Sequence, residues 1–258
     1  MRPIAEFPPD IARGIRAVVT DIDDTLTEGA RLTPATYAAL ARLKEAGLIV
    51  IPATGAPAGW CDAFARMWPI DGIIGENGGL YFRHDHATGA TMRAYWLDAP
   101  ERRAARARLA ELASEVSLVV PGAALAHDDA YRETTLAMTA PAGRMDEVLA
   151  AYRRAGARAT KNSLWALAWF GEFDKLAMIR RVLNDEFALD IDAARGAVVY
   201  VGDSTNDGPQ FAHFPHSVGV ATVMRWLDTL EKPPAFVTTG AGGAGFCEVA
   251  DILLAARP

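Results

Sequence analysis

Short apolar runs and longer stretches with helical spacing alternate along much of the chain. The clearest apolar runs lie at residues 15–20, 48–52 and 197–201. Between the first two runs, apolar residues recur at helical spacing from an N-cap at Thr33 to a stop signal at Gly47, which predicts a helix. Continuous apolar strands separated by helices are typical of a parallel sheet that is buried on both faces.

The middle of the chain has a different pattern. Strand-like segments at 80–82 and 92–96 flank a polar turn, and the residues beyond them alternate between helix and strand. Strands that pair with near neighbours, separated by helices, indicate an antiparallel α+β unit. The helices of this unit are predicted at residues 100–115 and 142–155, and its further strands at 131–139 and 164–170.

The first pattern returns after residue 170. We therefore predict an α/β fold, in which a Rossmann-like doubly wound parallel sheet forms the core and an α+β cap domain is inserted into it. The core is assigned to residues 1–81 and 170–258, and the cap to residues 82–169. The remaining helices of the core are predicted at residues 58–67, 173–187, 209–213, 223–230 and 246–256, and its remaining strands at 217–220 and 236–238.

Composition and charge narrow the class of protein. The 258 residues are 51% hydrophobic and 22% charged, as in ordinary globular domains, and the net charge is −6. This balance lacks the basic footprint of a duplex-binding protein, so no nucleic-acid partner is expected. The chain has two cysteines, no apolar start typical of a signal peptide and no membrane-length apolar run. We expect a cytoplasmic protein without a membrane partner, and make no prediction of its oligomeric state.

Residues that can bind a metal ion or a phosphate lie at or just after the ends of the predicted strands. In an open α/β sheet, ligands bind beyond the carboxyl ends of the strands, so residues from distant segments meet at one edge. Clustered carboxylates with room for water suit Mg²⁺, and a lysine beside them offers a point charge to a phosphate. Together these groups are the ones that phosphoryl-transfer sites use for positioning and charge neutralisation. The residues are Asp21, Asp23, Thr54, Gly55, Lys175, Asp203, Asn206 and Asp207.

These residues carry a resemblance to a known family. The segment Asp21-Ile22-Asp23-Asp24-Thr25-Leu26 after an apolar strand resembles the DxDx[TV]L signature of the haloacid dehalogenase superfamily. Thr54, Lys175 and the segment 202–207 (GDSTND) match the other three motifs of that family in order. The insertion lies where the family carries its type II α/β cap. The segment 76–79 (ENGG) resembles the sugar-phosphatase branch, and the segment 132–134 (RET) resembles archaeal-type phosphoglycolate phosphatases.

The resemblance implies a Mg²⁺-dependent phosphatase that acts on a small phosphorylated metabolite, such as a sugar phosphate or a phosphoglycolate-like molecule. Asp21 would attack phosphorus and form an aspartyl-phosphate, and Asp23 would serve as the general acid and then the general base. Thr54, Gly55, Lys175 and Asn206 would bind the phosphoryl group. The metal would be held by Asp21, Asp23, Asp203 and Asp207.

The sequence departs from the family in one motif. Many relatives carry Thr-Gly-Arg at the second motif, whereas this chain reads Thr54-Gly55-Ala56-Pro57. An arginine that could contact substrate is therefore absent, and the identity of the substrate is not transferred. In the cap, Arg132 and Glu133 are candidates for contact with substrate; the other interpretation is a structural ion pair.

The same motifs allow other interpretations. A phosphomutase would use the same aspartyl-phosphate and return the phosphoryl group to a sugar. A non-catalytic binding protein could share the fold, and a DxD pair also occurs at the Mn²⁺–nucleotide sites of glycosyltransferases. Residues 240–245 match the dinucleotide pattern GxGxxG, but no complete βαβ unit follows, so a mobile glycine loop is predicted there.

Overall fold

The computed structural model describes residues 1–161 and 164–257. Short strands alternate with helices through most of the described residues. The strands are β1 (Arg2–Pro3), β2 (Ala17–Thr20), β3 (Thr27–Glu28), β4 (Arg31–Leu32), β5 (Ile49–Pro52), β6 (Ile73–Gly75), β7 (Leu80–Asp85), β8 (Ala90–Tyr95), β9 (Ala124–Leu125), β10 (Leu136–Thr139), β11 (Arg158–Lys161), β12 (Ala166–Trp169), β13 (Val198–Gly202), β14 (His216–Gly219) and β15 (Phe236–Val237).

Helices connect most of these strands. The α-helices are α1 (Pro9–Gly14), α2 (Pro34–Glu45), α3 (Ala58–Met67), α4 (Ala99–Val119), α5 (Met145–Arg154), α6 (Lys175–Phe187), α7 (Gly208–His213) and α8 (Gly242–Ala255). Short 3₁₀ segments lie at residues 4–6, 76–78, 129–131, 195–197, 205–207 and 221–229.

The central layer is a parallel sheet in the order β1-β15-β14-β13-β2-β5. Its residues alternate between two apolar faces, as a strand period of two requires. Val18 and Val199 pack on the side of α2 and α8, whereas Val19 and Tyr200 pack on the side of α6 and α7. The predicted doubly wound parallel sheet is therefore confirmed, and the central strands β2 and β13 are buried at every residue.

A second, antiparallel sheet has the order β11-β12-β10-β9. Helices α4 and α5 cover one of its faces, where Leu109, Val116 and Tyr152 form a separate apolar cluster. Helix α4 begins at a capping box in which Asp98 and Glu101 each accept from the backbone N–H of the other. This part of the chain is the antiparallel α+β unit that the sequence pattern indicates.

A three-stranded antiparallel sheet, β6-β7-β8, lies beside the end of β5, where Ala53 and Ile74 form a parallel bridge. Residue 82, the predicted first residue of the cap, falls inside β7, and the side chains of Leu80 and Phe82 pack in the cluster that contains α2 and α8. The assignment of residues 1–81 and 170–258 to the core and 82–169 to the cap stays a prediction. No helix in the described ranges has the length and apolar content needed to cross a membrane.

The structure differs from the predicted elements at several segments. The helix predicted at 223–230 is a 3₁₀ segment, strands β1, β3, β4, β6, β9 and β11 are not among the predicted strands, and two further differences have a clear physical cause. The strand expected at 131–139 begins only at Leu136, because the backbone N–H groups of residues 133–135 donate to the carboxylate of Glu76 instead of to a neighbouring strand. The mobile glycine loop expected at 240–245 is wrong, since α8 begins at Gly242. Gly243 lies against the side chain of Thr36, and a β-carbon there would clash, so glycine allows α8 and α2 to approach closely.

Candidate active site

The carboxyl ends of β2 and β13 place Asp21 and Asp203 side by side. These strands are adjacent and parallel, with Thr20 opposite Val201. Asp21 follows β2 directly and donates its backbone N–H to the carbonyl of Val201 at 2.9 Å, and Asp203 follows β13 directly. The edge where an open α/β sheet binds its ligands thus carries two carboxylates from distant parts of the chain.

Asp207 completes a cluster of three carboxylates. Asp21, Asp203 and Asp207 each offer one oxygen, and these oxygens lie within 4.8 Å of one another. All three residues are buried, and Asp207 has no exposed surface. Several carboxylates in such a small, dry volume repel one another unless a cation is present. The cluster is therefore a candidate cation site.

Lys175 supplies one positive charge to this cluster. It is the first residue of α6, which begins at the N-cap Asp174, whose carboxylate accepts from the N–H of Ala177 at 2.8 Å. Its Nζ donates to Asp21 Oδ1 at 2.8 Å and to Asp207 Oδ1 at 3.3 Å. The two carboxylates outweigh the effect of burial and raise the pKa of Lys175, so the ammonium stays charged.

Both oxygens of the Asp207 carboxylate already accept hydrogen bonds from other groups of the protein. Its Oδ1 accepts from Lys175 and from the hydroxyl of Tyr200 at 2.5 Å, and its Oδ2 accepts from the backbone N–H groups of Asp203 and Ser204 at 3.0 and 3.2 Å. A carboxylate offers about four lone-pair directions, and here all four have donors. Asp207 therefore fixes Lys175 and the loop that carries Asp203.

Asp21 and Asp203 keep free acceptor positions. Asp21 Oδ1 accepts from Lys175, and Asp203 Oδ1 accepts from the hydroxyl of Thr25 at 3.3 Å. Within residues 1–161 and 164–257, no hydrogen bond reaches Oδ2 of either side chain. These two oxygens are the ones that a bound cation or substrate could use.

Burial makes it unfavourable for both of these groups to be charged without a cation. It raises the pKa of Asp21 to about 7, although Lys175 acts in the opposite direction. Burial, together with the carboxylates of Asp207 and Asp21, raises the pKa of Asp203 to about 8. A divalent cation would offset both penalties, so the residues present fit a magnesium ion.

Asp23 lies at the same edge but in a different environment. Its side chain is partly exposed, and no described residue donates a hydrogen bond to it. Burial raises the pKa of Asp23, while Lys175 acts against this shift. The carboxyl of Asp23 therefore holds a proton more readily than an ordinary aspartate does.

A cavity of about 140 Å³ opens above the cluster. The predicted residues Asp21, Asp23, Gly55, Asp203 and Asn206 all line it. Strands of the antiparallel unit supply further wall residues, so the cavity lies between the parallel sheet and that unit. The full lining also includes Asp24, Lys161, Leu167, Ser204, Thr205, Thr222, Arg225 and Trp226.

Thr54 lies beside this cavity rather than in its wall. It is buried, and its hydroxyl oxygen accepts from the N–H of Ala56 at 3.1 Å. Gly55 is crowded, because a β-carbon there would lie 3.2 Å from Leu167 and 3.3 Å from Asn77. The absence of a side chain at Gly55 thus leaves its backbone open to the cavity. Phosphate binding by Thr54, Gly55, Lys175 and Asn206 stays a prediction.

The two cap candidates have separate partners. Arg132 is buried, forms an ion pair with Asp128 at 3.0 Å and donates to the carbonyl of Gly55 at 2.9 Å. Glu133 lies 3.8 Å from Arg102, and neither Arg132 nor Glu133 is in the lining of the cavity. The contacts of Arg132 hold the loop of Gly55 in place, and a contact of either residue with substrate stays a prediction.

Sequence reasoning missed the roles of two residues. Tyr200 is a single hydroxyl-bearing residue in an otherwise aliphatic strand, and that contrast was the available signal. Glu76 is fully buried in a left-handed conformation with φ of 49°. Its carboxylate accepts from the N–H of Ala58 at 2.9 Å and from the backbone or hydroxyl groups of residues 133–135 at 2.7 to 3.0 Å. Only a long-range contact reveals this role.

Comparison with known proteins agrees with the sequence motifs. Residues 18–133 match the family model of haloacid dehalogenase-like hydrolases, which confirms the resemblance. A phosphoglycolate phosphatase from Methanoculleus marisnigri is 38% identical over 71 residues. That stretch spans 27% of this chain and 30% of the relative, so this chain matches about a third of the relative's length.

Solved structures share the fold over nearly the whole chain. A Thermoplasma acidophilum protein superposes with a TM-score of 0.73 at 19% identity and covers 93% of this chain and 98% of its own. The sucrose-phosphatase of Synechocystis sp. PCC6803, solved with sucrose and phosphate, gives a TM-score of 0.66 at 12% identity and covers 93% and 98%. At these identities the likeness shows the fold.

Proposed function

We propose that this chain, a haloacid dehalogenase-like hydrolase by its match over residues 18–133, is a magnesium-dependent phosphatase of small phosphorylated metabolites. The observation that carries the proposal is the buried cluster in which Lys175 joins Asp21 to Asp207, with Asp203 alongside. A nucleophile, a cation site and an anion clamp meet there within hydrogen-bond distance. Positioning and charge neutralisation supply most of the catalysis in phosphoryl transfer.

Asp21 is the proposed nucleophile. Lys175 holds its Oδ1, which leaves Oδ2 free toward the cavity. A bond forms between an Asp21 oxygen and phosphorus while the bond from phosphorus to the leaving oxygen breaks. Water then attacks the aspartyl-phosphate, which releases phosphate and restores Asp21.

Asp23 is the proposed acid and base. It lines the same cavity, and the raised pKa of Asp23 favours the protonated carboxyl that a leaving alkoxide requires. After it has given up that proton, the carboxylate can accept one from the attacking water. Asp23 thus gives one proton to the leaving group and regains another from the attacking water.

The proposed metal ligands are Asp203, through its free Oδ2, and Asp21, whose Oδ1 accepts from Lys175 and keeps a second acceptor position while Oδ2 attacks phosphorus. Magnesium bound there would neutralise charge on the carboxylates and on the phosphoryl group. Asp207 would support the site by orienting Lys175 and the Asp203 loop, because its own oxygens are saturated. The backbone carbonyl of Asp23 is the further ligand that the family resemblance implies.

Phosphate binding is proposed for Lys175, Thr54, Gly55 and Asn206. Once a phosphoryl group is bound, the ammonium of Lys175 can share its hydrogens with it. The hydroxyl of Thr54 accepts one hydrogen bond and still has its own hydrogen to donate. The name of the phosphoglycolate phosphatase relative supports a phosphatase, as does the sucrose-phosphatase with the same fold.

The proposed setting is cytoplasmic, with a phosphorylated metabolite as the partner and neither nucleic acid nor membrane required. Cys61 and Cys247 are both free, which suits a reducing compartment. The net charge of −6 is compatible with an anionic substrate, because part of it lies in the cluster that a cation would neutralise.

The experiment is a phosphate-release screen over phosphorylated metabolites, with Mg²⁺ and with a chelator. We expect release that requires Mg²⁺ and is lost in Asp21→Asn. Free phosphate from a hexose 1-phosphate supports a phosphatase, whereas conversion to an isomeric sugar phosphate would identify a phosphomutase. Failure to turn over any substrate of a broad panel would contradict both and favour a binding protein.

A further inference from the structure

The lining of the active-site cavity includes two cations and an aromatic ring besides the acidic residues. Lys161 ends β11 of the antiparallel unit, and Arg225 and Trp226 lie in the 3₁₀ segment 221–229 that follows β14. None of the three belongs to the motifs that indicate phosphoryl transfer. The cavity therefore has positive groups of its own in addition to Lys175, which lies behind Asp21.

The segment that carries Arg225 is anchored a few residues earlier to Asp24, in the loop after β2, and to Gly240. The hydroxyl of Thr222 donates to the carbonyl of Asp24 at 3.4 Å, and the N–H of Ala221 donates to the carbonyl of Gly240 at 3.0 Å. Val223, between these anchors and Arg225, is fully buried. The segment thus holds the start of the Arg225 side chain at a defined place relative to Asp21 and Asp23.

Arg225 has no carboxylate partner among the residues that the structure describes, although it is close to an acidic cluster. Lys161 has one partner, Asp146, at 3.7 Å, and both side chains are largely exposed. Exposed ion pairs of this kind contribute little stability. Both cations are therefore available to an anion in the cavity.

We infer that Arg225, assisted by Lys161, binds a second anionic group on the leaving-group side of the substrate. This rests on the proposed phosphatase function and adds to it the class of substrate: a phosphomonoester whose alcohol carries a carboxylate or a further phosphate. Trp226 and Leu167 offer apolar surface for the short carbon chain between the two anions. Arginine suits this role because its planar guanidinium can bind a carboxylate or phosphate through two hydrogen bonds.

The size of the cavity leaves room for a short substrate with two anionic groups. Its volume is about 140 Å³. An apolar cavity of about 150 Å³ in another protein is filled by one benzene molecule. A phosphoryl group joined to a few carbons and a second anion fits this scale.

The test compares two probes that differ only in the second anion. Phosphoglycolate carries a carboxylate where ethyl phosphate carries a methyl group. The values of kcat/KM for both are measured in the wild type, in Arg225→Gln and in Lys161→Gln. Arg195→Gln is the matched control, because Arg195 is also exposed but lies at the amino end of β13, the opposite edge of the sheet.

We expect the wild type to prefer phosphoglycolate by about ten-fold or more, since one charge-assisted contact of about 1.4 kcal/mol corresponds to that factor. Arg225→Gln should remove most of this preference, mainly through KM, and Lys161→Gln should remove less. Arg195→Gln should leave it intact. Equal loss on both probes would mean that Arg225 binds the transferred phosphoryl group, and an unchanged preference would also overturn the inference. If neither probe nor any other phosphomonoester is hydrolysed, the phosphatase proposal itself fails.

Discussion

The ammonium of Lys175 lies 2.8 Å from Oδ1 of Asp21, although the two residues are 154 positions apart in the chain. This contact joins the first residue of α6 to the end of β2, and both side chains are almost completely buried. A buried ion pair of this kind is weak evidence for a gain in stability, because desolvation offsets much of the attraction. The position of this pair, with Asp21 lining the cavity and Lys175 directly behind it, agrees better with a functional role.

Lys175→Met should lower kcat/KM for phosphate release by about 100-fold or more, because a preorganised charge at the phosphoryl group is lost. The fold should survive, because burial raises the pKa of Asp21 and Lys175 counteracts this effect. Without Lys175, the carboxyl of Asp21 can take up a proton and lose its charge. The same substitution at the exposed Lys232 is the control. Kinetics close to those of the wild type for Lys175→Met, with an unchanged circular dichroism spectrum, would remove Lys175 from the site.

Tyr200→Phe tests the hydrogen bond that holds Asp207 against Lys175, which we call the brace of this pair. It removes the hydroxyl that donates to Asp207 Oδ1 at 2.5 Å. Hydrogen bonds to charged groups contribute about 1.5–3 kcal/mol, so the free energy of unfolding should fall by about 2 kcal/mol. Tyr37→Phe is the matched control, because the hydroxyl of Tyr37 donates to a backbone carbonyl at an exposed site. Urea unfolding measures both variants, and equal effects would contradict the proposed brace.

Glu76→Gln tests the buried carboxylate that organises residues 133–135. Glutamine would place an NH₂ group opposite N–H donors on one side, which leaves buried groups without acceptors. The free energy of unfolding should fall by about 3 kcal/mol, as expected when several buried hydrogen bonds fail. Glu111→Gln, at an exposed site of α4, should change it by less than about 0.5 kcal/mol. A loss at Glu76 no larger than at Glu111 would show that the network contributes no stability.

Magnesium should stabilise the protein more at high pH than at low pH. The folded-state pKa is raised to about 7 for Asp21 and about 8 for Asp203, from a value near 3.8. The metal-free folded state therefore keeps protons that the unfolded chain releases, and it loses stability as the pH rises from about 4 to about 8. Magnesium binds the deprotonated carboxylates and reverses this loss.

The measurement is the thermal unfolding midpoint with and without Mg²⁺ at about pH 6 and about pH 8.5. The shift caused by Mg²⁺ should be larger at the higher pH and should disappear in Asp203→Asn. A shift that is equal at the two pH values, or that persists in the variant, would place the cation elsewhere.

The sequence predicts the parallel core well because each strand there is a continuous apolar run. The run at 15–20 and the polar residues after it locate both β2 and Asp21. The same local reasoning fails at residues 131–135, where the backbone hydrogen bonds go to Glu76, which lies more than 50 positions earlier. It also fails at residues 240–245, where Gly243 allows α8 to pack closely on α2 and Gly242 and Gly245 lie against backbone carbonyls.

In the site, sequence motifs identify the acidic residues, but they do not show which carboxylates are free to bind a metal and which are occupied by hydrogen bonds within the protein. Asp207 resembles a metal ligand in its motif, yet Lys175, Tyr200 and two backbone N–H groups already occupy its oxygens. Arg225 has no motif around it, and it enters the cavity only because the segment 221–229 packs beside the loop of Asp24. Such relationships depend on tertiary contacts that no local spacing records.

Trapping of the phosphorylated enzyme tests the central claim, that Asp21 accepts the phosphoryl group, most directly. Asp23→Asn is mixed with radiolabelled p-nitrophenyl phosphate and Mg²⁺, quenched in acid and mapped by peptide. The leaving nitrophenolate needs no proton, whereas hydrolysis of the intermediate needs a base, so the labelled intermediate should accumulate in this variant. We predict label on the peptide that contains Asp21 and none in Asp21→Asn. Label that persists in Asp21→Asn, or its absence from Asp23→Asn while the wild type turns over the same probe, would contradict the account.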